Sequence, residues 1–515
     1  MQKIFLPIIW SALLGLTMLS ACSKPEKNKK PNIIYILADD LGYAELGSYG
    51  QQLIETPHLD ALAARGMRFT QHYAGAPVCA PSRCVLLTGQ HAGHAYIRGN
   101  DEWASRGDVW DFAKAVEDPN LEGQWPMPDS IPTIGNVLQG AGYKTALVGK
   151  WGLGGPLTDG IPNNRGFDFF YGYNCQRQAH TLTPRHLWKN REKVWLENDL
   201  VAPGTKLDSL ADPNDLASYA KYFQKDYAPK LMQDEALKFI EENQEQPFFL
   251  YYATPLTHAP IQVPQEYVFK YVEKFGDEKP YIGDRGYFPN RYPKAAYAAM
   301  VSYLDSQVGE IVEKLKETGQ YENTLIIFSS DNGPTYNGGT FSPYFDSAKP
   351  FKSEYGWGKG FTHEGGIRVP MIASWEGKIK PGSTSHLISA FWDVMPTLAE
   401  VAEIESPDSD GVSFLPELLG KEQTKHEFLY WEFPSYHGQQ AVRYGSWKGI
   451  RKNIFKGNME IELYNLDLDP VEQNDVADQN PDVVKEIAKI MVDEHRPAVN
   501  DRFRITQLGD VKTAQ

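Results

Sequence analysis

The chain has 515 residues and a net charge of −15, with 42% hydrophobic and 23% charged residues. That length is too much for one small core and asks for a large α/β domain plus a smaller one, and the ordinary composition excludes bulk disorder. The acidic balance repels polyanions at long range, which argues against nucleic acid as a partner; an anionic substrate would need a local cluster of Lys, Arg, His and metal.

In chain order, Lys3 supplies a positive start and Ile4 to Leu19 is an apolar run broken only by small or polar residues. The run is short for a membrane span and closes on Leu19-Ser20-Ala21-Cys22, as a secretory signal peptide does. This ending resembles the bacterial lipoprotein box. The resemblance implies a signal peptide over 1–21, a lipid on Cys22 that holds the chain to a membrane, and a polar tether over 22–30. It further implies a bacterial periplasmic or cell-surface location at the outer membrane. Plain secretion with an unmodified Cys22 is the alternative. No second stretch is long and apolar enough to span a bilayer.

Short apolar runs that end in polar clusters follow. Asn32–Leu37 leads into Asp39-Asp40, Lys144–Val148 into Gly149-Lys150, and Pro247–Tyr252 toward Thr257-His258. Thr324–Phe328 leads into Asp331-Asn332-Gly333, and Val369–Ala373 follows Gly365-Gly366. Continuous runs of this length suit strands buried on both faces, as in a parallel sheet. Met300, Leu304, Val308, Ile311 and Leu315 recur at helical spacing before Gly319, and Thr133–Leu138 is a shorter helix candidate. Strands alternating with helices predict right-handed crossovers and a doubly wound sheet, whose ligands bind beyond the carboxyl ends of the strands. The polar clusters sit at those ends, which predicts one shared site. Glu192 to Tyr219 reads as a surface loop. Beyond about Lys425 the runs become short and turn-separated, as in a small antiparallel sheet, with a closing helix over Val483 to Val492. The expected domains are 31–425, 426–500 and a tail over 501–515.

The sharpest motif is Cys79-Ala80-Pro81-Ser82-Arg83, followed by Leu87-Thr88-Gly89. Read plainly, it is a buried Cys before a helix with Pro in its first turn. Asp39-Asp40 reads plainly as a helix N-cap and Asn332-Gly333 as a tight turn. Together at strand ends, Asp39, Asp40, Asp331 and Asn332 offer three carboxylates and an amide oxygen, all hard ligands for a hard divalent cation.

The Cys-x-Pro-Ser-Arg segment resembles the signature of the type I, formylglycine-dependent sulfatases. The resemblance covers nearly the whole chain from Pro31 to about Val492. It implies an alkaline-phosphatase-like doubly wound mixed sheet flanked by helices, with a smaller C-terminal antiparallel sheet subdomain. It implies that a maturation enzyme oxidises Cys79 to formylglycine, whose hydrate attacks sulfur and forms a covalent sulfo-enzyme intermediate. It implies one Ca²⁺ on Asp39, Asp40, Asp331 and Asn332, with Arg83 holding the modified residue and the metal ligands. It also implies that Lys150, His258 and Lys359 are the cations around the sulfate, within Gly149–Gly154, Thr257–Pro260 and Lys359–Arg368. Many relatives read Lys-Trp-His where this chain has Lys150-Trp151-Gly152, so His94, His180 or solvent is left to replace that histidine.

Arg177 and His180, in Gln176-Arg177-Gln178-Ala179-His180, are candidates for shaping the leaving-group pocket, as are Leu187–Asn190 and His94, Arg98, Asn100 and Asp101. The substrate implied is a sulfated glycan, with a lean toward galactose-type sugars. The alternatives are a phosphate or phosphonate ester hydrolase of the same superfamily and a non-catalytic glycan-binding lipoprotein. Cys84 and Cys175 remain as a pair that sequence neither joins nor separates.

Overall fold

The computed structural model describes residues 30–512. The expected signal peptide, the lipid site at Cys22 and the tether up to residue 29 lie outside the described residues.

The large sheet is built from β1 (Asn32–Ala38), β2 (Met67–Tyr73), β3 (Lys144–Lys150), β4 (Phe169–Tyr173), β5 (His186–Lys189), β6 (Glu192–Trp195), β7 (Phe248–Ala253), β8 (Thr324–Ser330), β9 (Arg368–Ser374), β10 (Ser383–Ser385) and β11 (Ser389–Ala390). Its order is β10-β2-β9-β8-β1-β7-β3-β4-β5-β6, with β11 beside β2. The central strands β8, β1, β7, β3 and β4 run parallel, with β1 between its two neighbours in the register Ile33↔Phe249 and Ile33↔Leu325. The sheet is mixed because β9 runs antiparallel to both β8 and β2. The apolar run around Val369 is thus a buried strand as expected, but in the opposite direction; burial on both faces fixes composition, not polarity.

Alternation along β1 serves two cores. Ile33, Tyr35 and Leu37 pack on one face with Val85, Leu138 and Val394. Ile34, Ile36 and Ala38 pack on the other with Met232, Met300 and Leu304. The expected long helix spans Pro293–Glu317, and Gly319 follows it at a φ of 68°. The stretch from Glu192 is not loop at its start. Glu192–Trp195 pairs with His186–Lys189 as an edge hairpin, and the turn residue Asn190 takes a φ of 54° that Asn tolerates.

The second sheet is antiparallel, in the order β12 (Phe428–Phe433), β13 (Gln439–Tyr444), β14 (Trp447–Lys452) and β15 (Glu462–Asn465). A helix over Pro481–Asp493 covers one face through Ile487, Ile490 and Met491. The other face joins the first core: Leu429, Trp431, Ala441 and Ile450 belong to the same apolar cluster as Val85, and the Trp431 indole donates to Ala74 O at 2.9 Å.

Candidate active site

The parallel strands β1, β3, β7 and β8 finish on one edge, and the polar clusters that follow them converge there. Asp39 and Asp40 follow β1, Lys150 ends β3, His258 lies beyond β7, and Asp331 and Asn332 follow β8. The turns are stitched together by backbone. Asp39 N–H donates to Leu256 O and Thr257 N–H to Asp39 O, both at 2.7 Å. Asp40 has a φ of 63°, and its N–H donates to Asp331 Oδ1 at 3.1 Å. A non-glycine residue held at positive φ costs conformational energy, which the packed strand ends around it hold in place.

Cys79 opens the Cys79–Thr88 helix, a wholly buried helix beginning two residues before Pro81. Its Sγ lies 3.4 Å from Asp39 Oδ1 and 3.6 Å from Lys359 Nζ. Ala80 N–H, one of the free first-turn donors, bonds Asn100 Oδ1 at 2.9 Å. One turn in, Arg83 holds Asp331 at 2.9 Å, lies 3.4 Å from Asp39 and donates to Lys150 O at 2.6 Å. Lys150 Nζ meets Asp39 at 2.6 Å, Lys359 Nζ meets Asp40 at 2.7 Å, and His258 Nε2 lies 3.6 Å from Asp40.

Three buried carboxylates therefore face the buried Arg83 and Lys150 and the partly exposed Lys359. Burial alone would raise the Asp39 carboxyl, but Lys150, with Arg83 and Lys359, holds it well below the usual range. Burial pushes the Asp331 carboxyl up, with the Asp39 charge adding to it. Burial, with Lys359 beside it, pushes the His258 imidazole well below its ordinary value, so the ring is neutral. Its Nδ1–H donates to Ala259 O, which turns the Nε2 lone pair toward Asp40. Burial and Asp39 push the Cys79 thiol up to about 12.

The oxygens of Asp39, Asp40, Asp331 and Asn332 fit a hard divalent cation. Asn332 Oδ1 is buried with no hydrogen-bond donor, and a buried acceptor left so is costly unless something positive completes it. Asp39, Asp40, Cys79 and His258 also each present a ligand atom within 4.8 Å of the others.

Two cavities that share lining residues lie beside the cluster. The nearer, of about 230 Å³, is lined by Val78, His258 and Lys359, with Tyr336, Phe433 and Tyr436 across it. The outer, of about 380 Å³, includes Glu102, Trp110, Gln176 and Arg177. Asn100, His180 and Tyr287 border both.

All the residues expected at the catalytic and metal centre are thus together. The residues expected around the leaving group divide. His180 stacks on His258 with ring centroids 5.0 Å apart, and Arg177 lines the outer cavity. His94 does not join them: it pairs with Asp410 at 3.0 Å and stacks on His91. Nor does Arg98, which is buried against Glu432 at 2.9 Å and donates to the carbonyls of Gly93, Ala95 and Arg496. Both fall on the turn after the Cys79–Thr88 helix, whose far end points at the second sheet rather than the cleft. Cys84 and Cys175 are free and buried, so they do not pair. Sequence gave no sign of Tyr287, which follows Gly286 at a φ of 62°. It gave none of Tyr436 either, because no spacing announces that the loop after β12 reaches the cleft, nor of Tyr336, in the connection after β8.

A family profile described as Sulfatase matches residues 31–404, and one described as N-sulphoglucosamine sulphohydrolase, C-terminal, matches 353–496. The N-acetylgalactosamine-6-O-sulfatase of Bacteroides thetaiotaomicron is 29% identical, over 93% of this chain and 97% of the relative. Human arylsulfatase A is 32% identical, over 85% of this chain and 77% of the relative. The crystal structure of Ps i-CgsB in complex with k-i-k-neocarrahexaose matches with a TM-score of 0.70 and 26% identity, over 91% of this chain and 94% of that one. With the Cys79 cluster at the strand ends and these matches along its length, the chain belongs to the type I sulfatase family and is a sulfuric ester hydrolase.

Proposed function

We propose that the chain is a carbohydrate sulfatase whose nucleophile is a formylglycine hydrate at position 79. The observation that carries this is the setting of Cys79, at a helix start between Asp39 and Lys359, the latter lining the nearer cavity. The Sγ atom stands in for a hydroxyl of the hydrated aldehyde. That hydroxyl, ionised with its proton lost to solvent, attacks sulfur, the bond to the sugar oxygen breaks, and Lys359 protonates the departing alkoxide. The resulting sulfo-enzyme keeps a second hydroxyl, and the neutral His258 accepts its proton as the aldehyde re-forms and sulfate leaves. Lys150 and Arg83 do not move protons; they hold Asp39 and Asp331 in place, and Lys150 keeps Asp39 ionised. Calcium on Asp39, Asp40, Asp331 and Asn332 would supply Lewis-acid polarisation of a sulfate oxygen.

Charge supports the assignment. Asp39, Asp40 and Asp331 cancel Arg83, Lys150 and Lys359 within the cluster. A divalent cation added there matches a sulfate monoester anion together with an ionised nucleophile. The lean toward a galactose-type sugar rests on the Gln176–His180 segment and on the N-acetylgalactosamine-6-O-sulfatase relative. The division at about residue 425 and the tail over 501–515 belong to the same reading. So do the maturation enzyme as a partner, the lipid on Cys22 and a place at the bacterial outer membrane, which rest on the Cys79 and Leu-Ser-Ala-Cys motifs.

The test is an intact-mass measurement across residue 79 in protein from the native host, with turnover of nitrophenyl sulfate, nitrophenyl phosphate and a panel of sulfated mono- and disaccharides. An aldehyde at 79 and preference for sulfate are expected. A thiol in fully active protein, or faster phosphate turnover, would sink the reading.

A further inference from the structure

The outer cavity holds an arrangement that the sulfate chemistry does not use. Gly152 has a φ of 89°, and a Cβ built on it would stand 1.8 Å from Gln176 Nε2 and 3.2 Å from Gln124 Oε1. The absence of a side chain at 152 is thus what admits Gln176 to this space. Gln176 is only 4% exposed, and neither its Nε2 nor its Oε1 has a hydrogen-bond partner. Its backbone N–H is secured on Gln124 Oε1 at 3.1 Å, so the residue is anchored while its amide is left open. A buried primary amide with both ends unanswered is destabilising, and an apolar residue of the same size would fill the space without that cost. The amide is answered only if a ligand brings both an acceptor and a donor.

The surroundings say which ligand. Glu102 lines the same cavity, and burial pushes its carboxyl up to about 8, so at neutral pH it keeps a proton and both donates and accepts. Trp110, 61% exposed, borders the cavity, and Arg177 lies over its ring at 5.4 Å. Two-way hydrogen bonding beside an aromatic face, with the Arg177 guanidinium donating to the Val109 and Trp110 carbonyls, suits a polyhydroxylated ring. The shared border at Asn100, His180 and Tyr287 places that ring next to the sulfate pocket.

We propose that Gln176, admitted by Gly152 and assisted by Glu102, is the specificity-determining residue that reads ring hydroxyls of the sugar bearing the sulfate. The proposal rests on the carbohydrate-sulfatase reading and assigns it a residue. Gln176 neither attacks sulfur nor protonates the leaving oxygen.

The experiment compares the mature wild-type enzyme with Gln176→Leu on the best sulfated monosaccharide of the panel and on nitrophenyl sulfate, which has no ring hydroxyls. The expected result is a loss of kcat/KM on the sugar at least about tenfold greater than on the aryl ester, carried mainly by KM. Thermal midpoint is the second readout. Because the leucine removes unanswered polar atoms, the midpoint should hold or rise, whereas loss of a structural amide would lower it. Deoxy versions of the sugar serve as a check on the wild type alone: removing one of the hydroxyls that Gln176 reads should cost about tenfold. Equal losses on both substrates, or wild-type indifference to every deoxy sugar, would overturn the proposal while leaving the sulfatase intact. A wild-type enzyme that cleaves the aryl ester and no sulfated sugar would overturn it together with the carbohydrate reading.

Discussion

Two clusters of buried charge sit on opposite sides of the segment Lys359–Arg368, and they are built differently. Around Cys79, Arg83, Lys150 and Lys359 face Asp39, Asp40 and Asp331, with Asp40 at positive φ and Asn332 Oδ1 lacking a donor. Between the two sheets, Lys448 bridges Glu364 at 2.8 Å and Glu472 at 2.9 Å. Arg368 and the Tyr73 hydroxyl both reach the second oxygen of Glu364 at 2.9 Å, and Arg443 donates to that hydroxyl. Both hold a residue at positive φ, Asp40 in the first and Glu472 at 56° in the second, but only the first opens on a cavity. The second is closed and joins the small sheet to the large one. Buried charge alone therefore marks neither function nor stability; the opening onto a cavity separates the two.

Deleting one member of each cluster should break the comparison in opposite directions. Cys79→Ala removes the nucleophile and should cost on the order of 10⁴-fold or more in turnover of nitrophenyl sulfate, with the circular dichroism spectrum unchanged. Lys448→Met leaves Glu364 and Glu472 without their shared cation and should cost about 3–5 kcal/mol of unfolding free energy in a denaturant titration, with kcat little changed. If Lys448→Met abolished turnover in folded protein, the interface would be part of the catalytic apparatus and the distinction would fail.

Sequence could show the first cluster and not the second. Asp39-Asp40, Lys150 and Asp331-Asn332 each end an apolar run, and the strand-end rule of an α/β sheet brings such endings together. Glu364 and Lys448 stand 84 positions apart, one on the short helix before β9 and the other in β14, and no periodicity links them. The direction of β9 was hidden for a related reason, since a run buried on both faces reads the same either way. His94 and Arg98 looked available because loops over a strand-end site carry specificity. Only the direction of the Cys79–Thr88 helix shows that its trailing turn meets the second sheet. Gly152 was legible as a departure, but what fills its space was not, because Gln176 arrives from a different strand connection.

The segment between the clusters supplies a sharper contrast in its histidine. His363 is 1% exposed, its two ring nitrogens have no partner, and its ring lies 4.4 Å from that of Trp357. His258 is as buried, yet it faces Asp40 and borders the cavity. His258→Ala should slow sulfate release by about 10²–10⁴-fold, the range of general acid–base groups, and let sulfo-enzyme accumulate after a burst of nitrophenol. His363→Ala should cost less than about tenfold, through packing alone, so equal effects in a stopped-flow burst experiment would remove His258 from the proton path.

The smallest effect should come from pH, and it concerns the closed cluster. Burial, reinforced by the Glu364 charge and opposed by Lys448, raises the Glu472 carboxyl above its ordinary 4.5. A carboxyl raised on folding binds a proton in the folded state that the unfolded chain has released, so its contribution weakens as pH climbs from 4.5 toward neutrality. Glu364 behaves the other way. Burial would raise it, but Lys448, Arg368 and Arg443 together hold it low, so its contribution is present above 4.5 and fades in acid. The two slopes meet near the ordinary glutamate value, and the cluster should be most stabilising there. Glu472→Gln removes the alkaline-side slope and leaves the acid-side one. In a series of thermal midpoints from pH 4 to 8, the variant should therefore lose less stability than wild type as pH rises. Parallel curves for the two proteins would mean that Glu472 is already ionised in the fold, and that Lys448 serves both carboxylates as full charges.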